Sequence, residues 1–437
     1  MEKRMDLQGK RLLILGGSRI SGEIVRRARA MGITTGVTDW YPVERSPAKQ
    51  EADEAYVVST SDIDAMAALI RDKRFDGVVT GFTDSVLPYY ADICARTGLP
   101  AYGTREQFEI FLNKRKYKDL MRTFDVPTVP EYRIDPDRFE ETAESVVYPV
   151  LVKPGDSSGS RGISVCRNRE ELRAALAVAE RASERKEVLV EQYLDAPEAS
   201  IFWQFAGGEY HVTLLGNRYV KNSQPGALPQ LVGYTFPSAL TPRFLAEDRP
   251  KMEAMFRSVG LRDGMMFMQC KVVDGRCLVY DIGYRLTGSI EYHTLRAMCG
   301  FDPLEMLIRF ALTGDAGEPE LARKADPYLG GKYAYNVTLL SRPGKIAEIR
   351  GLEEVRALPG VTHVLVSHPA GEEITEGMRG LLAQITVRVL GQADSIPAMR
   401  RDMLRIHDMI RILDPAGNDL GLPGVTEADF DGVIYEP

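Results

Sequence analysis

Lys153 stands at the head of a loop suited to close approach by an anion. In residues 148–167 the β-forming run Val150-Leu151-Val152 leads into Lys153 and Pro154, and Ile163, Val165 and Cys166 resume a strand. Between them lie Gly155, Asp156, Ser157, Ser158, Gly159, Ser160, Arg161 and Gly162. Such a loop carries little apolar surface and many backbone N–H groups. With Lys153 beside it, a polyphosphate is the fitting ligand. No Gly-Lys-Ser/Thr follows and no helix starts there, so it is not a P-loop. The same residues also fit a long hairpin loop with a surface lysine. Further on, residues 188–198 read VLVEQYLDAPE. A buried strand ends in Glu191, passes through Gln192, Tyr193 and Leu194, turns, and reaches a second acid, Glu198.

The two elements together resemble the ATP-grasp superfamily. The resemblance implies that Lys153 and the loop residues Ser157, Ser158, Gly159, Ser160 and Gly162 hold the phosphates of ATP. It implies that the strand ending in Glu191, with Gln192, Tyr193 and Leu194, lies along the adenine edge, and that Glu198 takes the ribose hydroxyls. In that superfamily a lysine at a helix start after Asp or Asn reaches the phosphates. Lys114, after Asn113, matches it, although Lys114-Arg115-Lys116 also fits a solvated basic face.

Gln269 and Asp281 sit on the two arms of a hairpin that turns at Asp274-Gly275 and runs on to Tyr284 and Arg285. This stretch resembles the ATP-grasp halves of the carbamoyl phosphate synthetase large chain. The resemblance implies that Gln269 and Asp281 bind Mg²⁺ (or Mn²⁺) and that Arg285 stabilises the phosphoryl group in transfer. Magnesium takes hard oxygen ligands, and an arginine fork suits a phosphoryl in flight. The family's third metal ligand, an asparagine, is replaced here by Gly283. Because Mg²⁺ keeps several waters readily, water is expected to fill that position, and Gly283→Asn is expected to be neutral or helpful. An ion pair of Arg285 with Glu291 or Asp281 is the alternative reading.

The elements that must position these residues follow from periodicity. Residues 10–100 alternate strand and helix, with strands in KRLLILGG, ITTGVTD, AYVV, FDGVVTG and LPAYG. That predicts a doubly wound parallel sheet, a pre-ATP-grasp α/β domain over 1–112. The turn at Gly16-Gly17 lacks G-x-G-x-x-G spacing, so it reads as a tight turn or a small-anion site more readily than as a dinucleotide site with Asp39. Residues 113–313 are expected to form the ATP-grasp domain, with an α+β lid over about 127–195. Residues 221–242, with four prolines, are expected to be a substrate loop. A polar linker precedes a β-rich α+β domain over 330–437. It reads as a strand, a hairpin in PGKIAEIRG, a helix, a strand, and two helices over 376–391 and 395–413. Its pattern resembles biotin-carboxylase-like and L-amino-acid-ligase-like ATP-grasp proteins. The fold class is thus α/β and α+β multidomain.

Composition sets the outer bounds. A chain of 437 residues calls for about three domains. A content of 44% hydrophobic and 27% charged residues is that of a globular protein. A net charge of −7 argues against nucleic-acid binding, and no apolar run is long enough to span a bilayer. The N-terminus is polar and leads straight into a strand. The five cysteines include no C-x-x-C pair and read as reduced core thiols of a cytoplasmic protein. The five histidines are scattered without zinc-site spacing. The resemblance then implies an ATP-dependent carboxylate–amine ligase that works through an acyl phosphate on a small-molecule carboxylate and amine, with amino acids as the expected substrates. Rivals are ligation of phosphoribosylamine to glycine, an inactive nucleotide-binding regulatory protein, and a nicotinamide-dependent dehydrogenase. The resemblance allows a homodimer and leaves the oligomeric state open.

Overall fold

The computed structural model describes residues 7–156, 162–221, 224 and 228–436. At the N-terminal end four strands pair in parallel, in the order Glu54–Val57, Thr34–Asp39, Arg11–Leu15, Gly77–Val79. Leu12, Leu13 and Ile14 are wholly buried, as a strand covered by helices on both faces requires. The stretch LPAYG does not join this sheet. Tyr102 turns instead into an aromatic cluster with Tyr90, Phe108 and Tyr284.

A small antiparallel sheet follows, ordered Glu131–Tyr132, Val188–Gln192, Val150–Pro154, Ser164–Cys166. Its apolar face, with Val150, Val152 and Val190, packs on Leu172, Ala175 and Ala179 of the helix Arg169–Ala182. Strand alternation therefore turns Leu151, Lys153 and Glu191 to the other face.

The third body is one eight-stranded antiparallel sheet. Its order is Arg276–Gly283, Gly264–Val273, Glu198–Ala206, Glu209–Lys221, Gln230–Phe236, Tyr333–Leu340, Ile385–Ala393, Val361–Val366. The sheet runs unbroken from the Gln269/Asp281 hairpin into the C-terminal region. Three sequence expectations are corrected here. The proline-rich stretch 221–242, expected to be a loop throughout, contains the wholly buried strand Gln230–Phe236, while residues 222–223 and 225–227 lie outside the described residues. The predicted helix over 376–391 is instead two short 3-10 turns, Glu376–Met378 and Leu382–Gln384, followed by the strand Ile385–Ala393, whose β-branched Ile385, Val387 and Val389 alternate into the core. The predicted hairpin PGKIAEIRG is two short strands that pair with Glu373–Ile374 and Arg411–Leu413 rather than with each other. Among the described residues, no helix is long and apolar enough to cross a membrane.

Candidate active site

The three sheets converge on a cavity of about 300 Å³ whose lining includes Lys114, Lys153, Glu191, Glu198, Gln269, Asp281 and Arg285. Gln192, Tyr193 and Leu194 line it as well. Of the glycine- and serine-rich loop after Lys153, Ser157, Ser158, Gly159 and Ser160 lie outside the described residues. Its two ends are fixed. The carbonyl of Gly155 accepts from the Lys114 N–H at 3.0 Å. Gly162 has φ +72°, and a Cβ there would meet Ala182 Cβ at 2.5 Å, so glycine is required.

Lys153 is buried, its Nζ 2.8 Å from Glu191 Oε2 and donating to the Tyr280 carbonyl at 3.1 Å. Burial pushes the Lys153 ammonium below its usual range. Glu191 is also gripped by Lys118, which is wholly buried and donates to the Val129 carbonyl at 3.1 Å. Burial alone would raise the Glu191 carboxyl, but Lys153 and Lys118 together hold it below the carboxylate range. Lys118 escaped the sequence reading. Its signal was its place one helical turn after Lys114 on the helix Lys114–Thr123, on the face that buries Tyr117 and Met121.

Glu198 is the middle rung of a charged ladder. It pairs in register with Arg218 on one neighbouring strand and with Lys271 on the other. Lys271 Nζ lies 2.9 Å from it, Arg218 forms an ion pair, and the Tyr280 hydroxyl donates at 2.9 Å. Burial would raise the Glu198 carboxyl; the two cations and the hydroxyl pull it below its usual range.

Gln269 and Asp281 face each other directly across the hairpin, and both line the cavity. Lys114 Nζ is 3.6 Å from Asp281 Oδ1. A neutral and an anionic oxygen donor in register fit a hard divalent cation. Gly283 pairs with Phe267, and a Cβ on it would lie 2.2 Å from that ring. The ring occupies the space that an asparagine side chain would need.

Arg285 is held by Asp84, from the parallel-sheet end of the chain, at 2.5 and 2.6 Å. Neither Glu291 nor Asp281 takes that place, so the partners weighed from sequence are corrected to Asp84. Arg388, also in the cavity lining and 6% exposed, donates to Thr338 Oγ1 at 2.8 Å. Among the described residues it meets no carboxylate within ion-pair distance. Burial pushes its guanidinium below the usual arginine range. Arg218 and Tyr234 line the cavity with it. Reading residues 376–391 as a helix hid Arg388; as a strand, the run Ile-Thr-Val-Arg-Val puts an arginine on an otherwise buried stretch.

Residues 113–201 match the family model described as carbamoyl-phosphate synthase L chain, ATP binding domain. Along its length the chain superposes on the L-amino acid ligase from Bacillus licheniformis with a TM-score of 0.75 at 19% identity, covering 93% of this chain and 99% of that one. The fold is that of the ATP-grasp proteins. A second ATP-grasp neighbour, with TM-score 0.75 and 19% identity, is the biotin carboxylase domain dimer of Hydrogenobacter thermophilus 2-oxoglutarate carboxylase, solved with MgADP, ADP and bicarbonate. It covers 95% of this chain and 92% of that chain. By sequence the small subunit of that carboxylase is 28% identical over 228 residues, 48% of each chain. The chain spans about half the length of the curated relatives it matches over this region. The small antiparallel sheet and the eight-stranded sheet both contribute side chains to the cavity lining.

Proposed function

We propose that this protein is an ATP-dependent carboxylate–amine ligase acting on amino-acid-like substrates. The observation that carries this reading is the convergence on one cavity of Lys114 from a helix start, Lys153 from the small sheet, and Gln269, Asp281 and Arg285 from one hairpin of the eight-stranded sheet and the turn after it. Lys114 and Lys153 hold the phosphates, and the buried Glu191 fixes the Lys153 ammonium in place. Gln269 and Asp281 would hold Mg²⁺, which when bound neutralises phosphate charge. Arg285, aimed by Asp84, offsets the charge on the phosphoryl group as it passes from ATP to a carboxylate oxygen and ADP leaves. An amine then attacks the acyl carbon of the acyl phosphate; phosphate departs, and the amine proton passes to solvent. The lid over the cavity excludes water, which would hydrolyse the acyl phosphate. Arg388, buried with no carboxylate within ion-pair distance among the described residues, holds an anionic group of the substrate. The test is ADP release from ATP and Mg²⁺ with pooled amino acids. ADP formation should depend on the pool and vanish in Arg285→Met. Tight ATP binding with no ADP from any carboxylate and amine pool would favour the regulatory reading instead.

A further inference from the structure

One buried nitrogen without a partner marks a second site, outside the lining of the cavity. His363 lies on the edge strand Val361–Val366, and its Nε2 is buried with no hydrogen-bond partner among the described residues. Its ring stacks on His293, 3.6 Å between centroids at 14°. His293 Nε2 is 2.8 Å from Glu23 Oε2, and His363 Nε2 is 4.0 Å from the same oxygen. The three ligand atoms all lie within 4.8 Å of one another. They arrive from three parts of the chain: the helix Gly22–Ala30, the helix Tyr292–Met298 and the edge strand. No local spacing could announce them, which corrects the reading of scattered histidines.

The surroundings suit a dication. Glu23 is paired with Arg26, which also grips Glu51. Arg27 is paired with Asp302 and Glu305, and Arg296 lies 3.8 Å from Asp302. The acids Glu23, Glu51, Asp302 and Glu305 thus outnumber the arginines 26, 27 and 296.

We propose that Glu23, His293 and His363 bind one zinc-class divalent transition ion, which clamps the N-terminal helical layer to the edge of the eight-stranded sheet. Two imidazoles and a carboxylate are a zinc donor set, with ligand bonds of about 2.0–2.2 Å and a fourth position left to water. Tetrahedral bonds of that length set ligand atoms about 3.3 Å apart. The present 2.8 and 4.0 Å bracket this value, and the two stacked rings, 3.6 Å apart, would have to open to about 5 Å between centroids to aim both Nε2 lone pairs at one tetrahedral ion. The Tyr292 hydroxyl, 3.5 Å from Glu23 Oε2, would steady the carboxylate from behind.

The experiment is a titration of untagged, metal-stripped protein with Zn²⁺ by calorimetry, and with Co²⁺ by visible absorption, in excess Mg²⁺ to occupy hard-oxygen positions. The expected result is one ion per chain, with thermal unfolding shifted upward as Zn²⁺ is added. His363→Phe keeps the ring stack and should lose affinity by more than about 100-fold, beyond the loss of an outer partner, along with the Zn²⁺-dependent thermal shift. Glu23→Gln serves the same purpose if the phenylalanine variant fails to fold. Absence of stoichiometric Zn²⁺ and Co²⁺ binding to the wild type would overturn the proposal. So would unchanged affinity in the folded variant.

Discussion

Asp84 grips Arg285 through two hydrogen bonds, 2.5 Å to Nε and 2.6 Å to Nη2, although 201 residues separate them. The fork is fixed further by Nη1, which donates to the Leu286 carbonyl at 2.8 Å, and by the Phe267 ring, 5.1 Å from the guanidinium carbon. Burial would lower the Arg285 pKa, and the Asp84 charge more than offsets it. The parallel-sheet end of the chain therefore aims a residue of the ATP-grasp hairpin. Asp84→Asn keeps the shape and removes the charge. It should lower kcat about 10- to 100-fold with little change in the KM for ATP, because the lost interaction acts mainly in the transition state. Steady-state kinetics in ATP decide this; an unchanged kcat would leave Asp84 a purely structural partner.

Glu191 sits between two buried lysines. Glu191→Gln leaves Lys118 and Lys153 without their counter-ion and should destabilise the fold by about 3–5 kcal/mol at neutral pH. The folded-state pKa of Glu191 is depressed, so its contribution is full above the usual glutamate pKa and is lost as pH falls through the lower folded value. The gap in stability between wild type and variant should therefore narrow on acidification below about pH 4.5. Denaturant unfolding as a function of pH measures the gap, and a constant gap would contradict the assignment of charge.

Gly283 reverses an expectation drawn from sequence. Read as a missing metal ligand, it invites replacement by asparagine. In the structure the Phe267 ring fills that space, with 2.2 Å left for a Cβ, and the same ring supports Arg285. Gly283→Asn must displace the ring, so it should lower turnover at every magnesium concentration rather than ease the magnesium requirement. ADP formation against total magnesium distinguishes the two outcomes.

Among the described residues Arg388 is a buried cation with no carboxylate within ion-pair distance. Arg388→Met keeps most of the volume and removes the charge. The KM for the carboxylate substrate should rise about 10- to 100-fold, as loss of a charge-assisted contact implies, while ATP affinity stays unchanged. A rise in both constants would place Arg388 on the nucleotide side of the cavity.

Where local pattern carries the signal, the sequence was legible. The alternating strands and helices of the N-terminal end, the Lys153 strand, the Glu191 strand and the Gln269/Asp281 hairpin are all local, and the fold class follows from them. The cavity lining unites residues that the sequence singled out separately. What stayed hidden depends on long-range placement. Lys118 and Arg388 look like ordinary surface charges until the fold buries them, and Asp84 does until the fold sets it against Arg285. From sequence the strand Ile385–Ala393 reads as helix because Leu381, Leu382 and Ala383 before it favour helix, while its partner strand Tyr333–Leu340 is distant in sequence. Glu23, His293 and His363 share no motif, since a three-dimensional junction alone joins them.

The most direct measurement is oxygen transfer. Amino acids labelled with ¹⁸O in their carboxylates are incubated with ATP, Mg²⁺ and an amine, and the released phosphate is analysed by mass. If a carboxylate oxygen attacks the γ-phosphorus, each phosphate should carry one ¹⁸O when ADP and amide form together, and labelled phosphate should disappear in Arg285→Met. Amide and ADP formed with unlabelled phosphate would contradict carboxylate activation through an acyl phosphate.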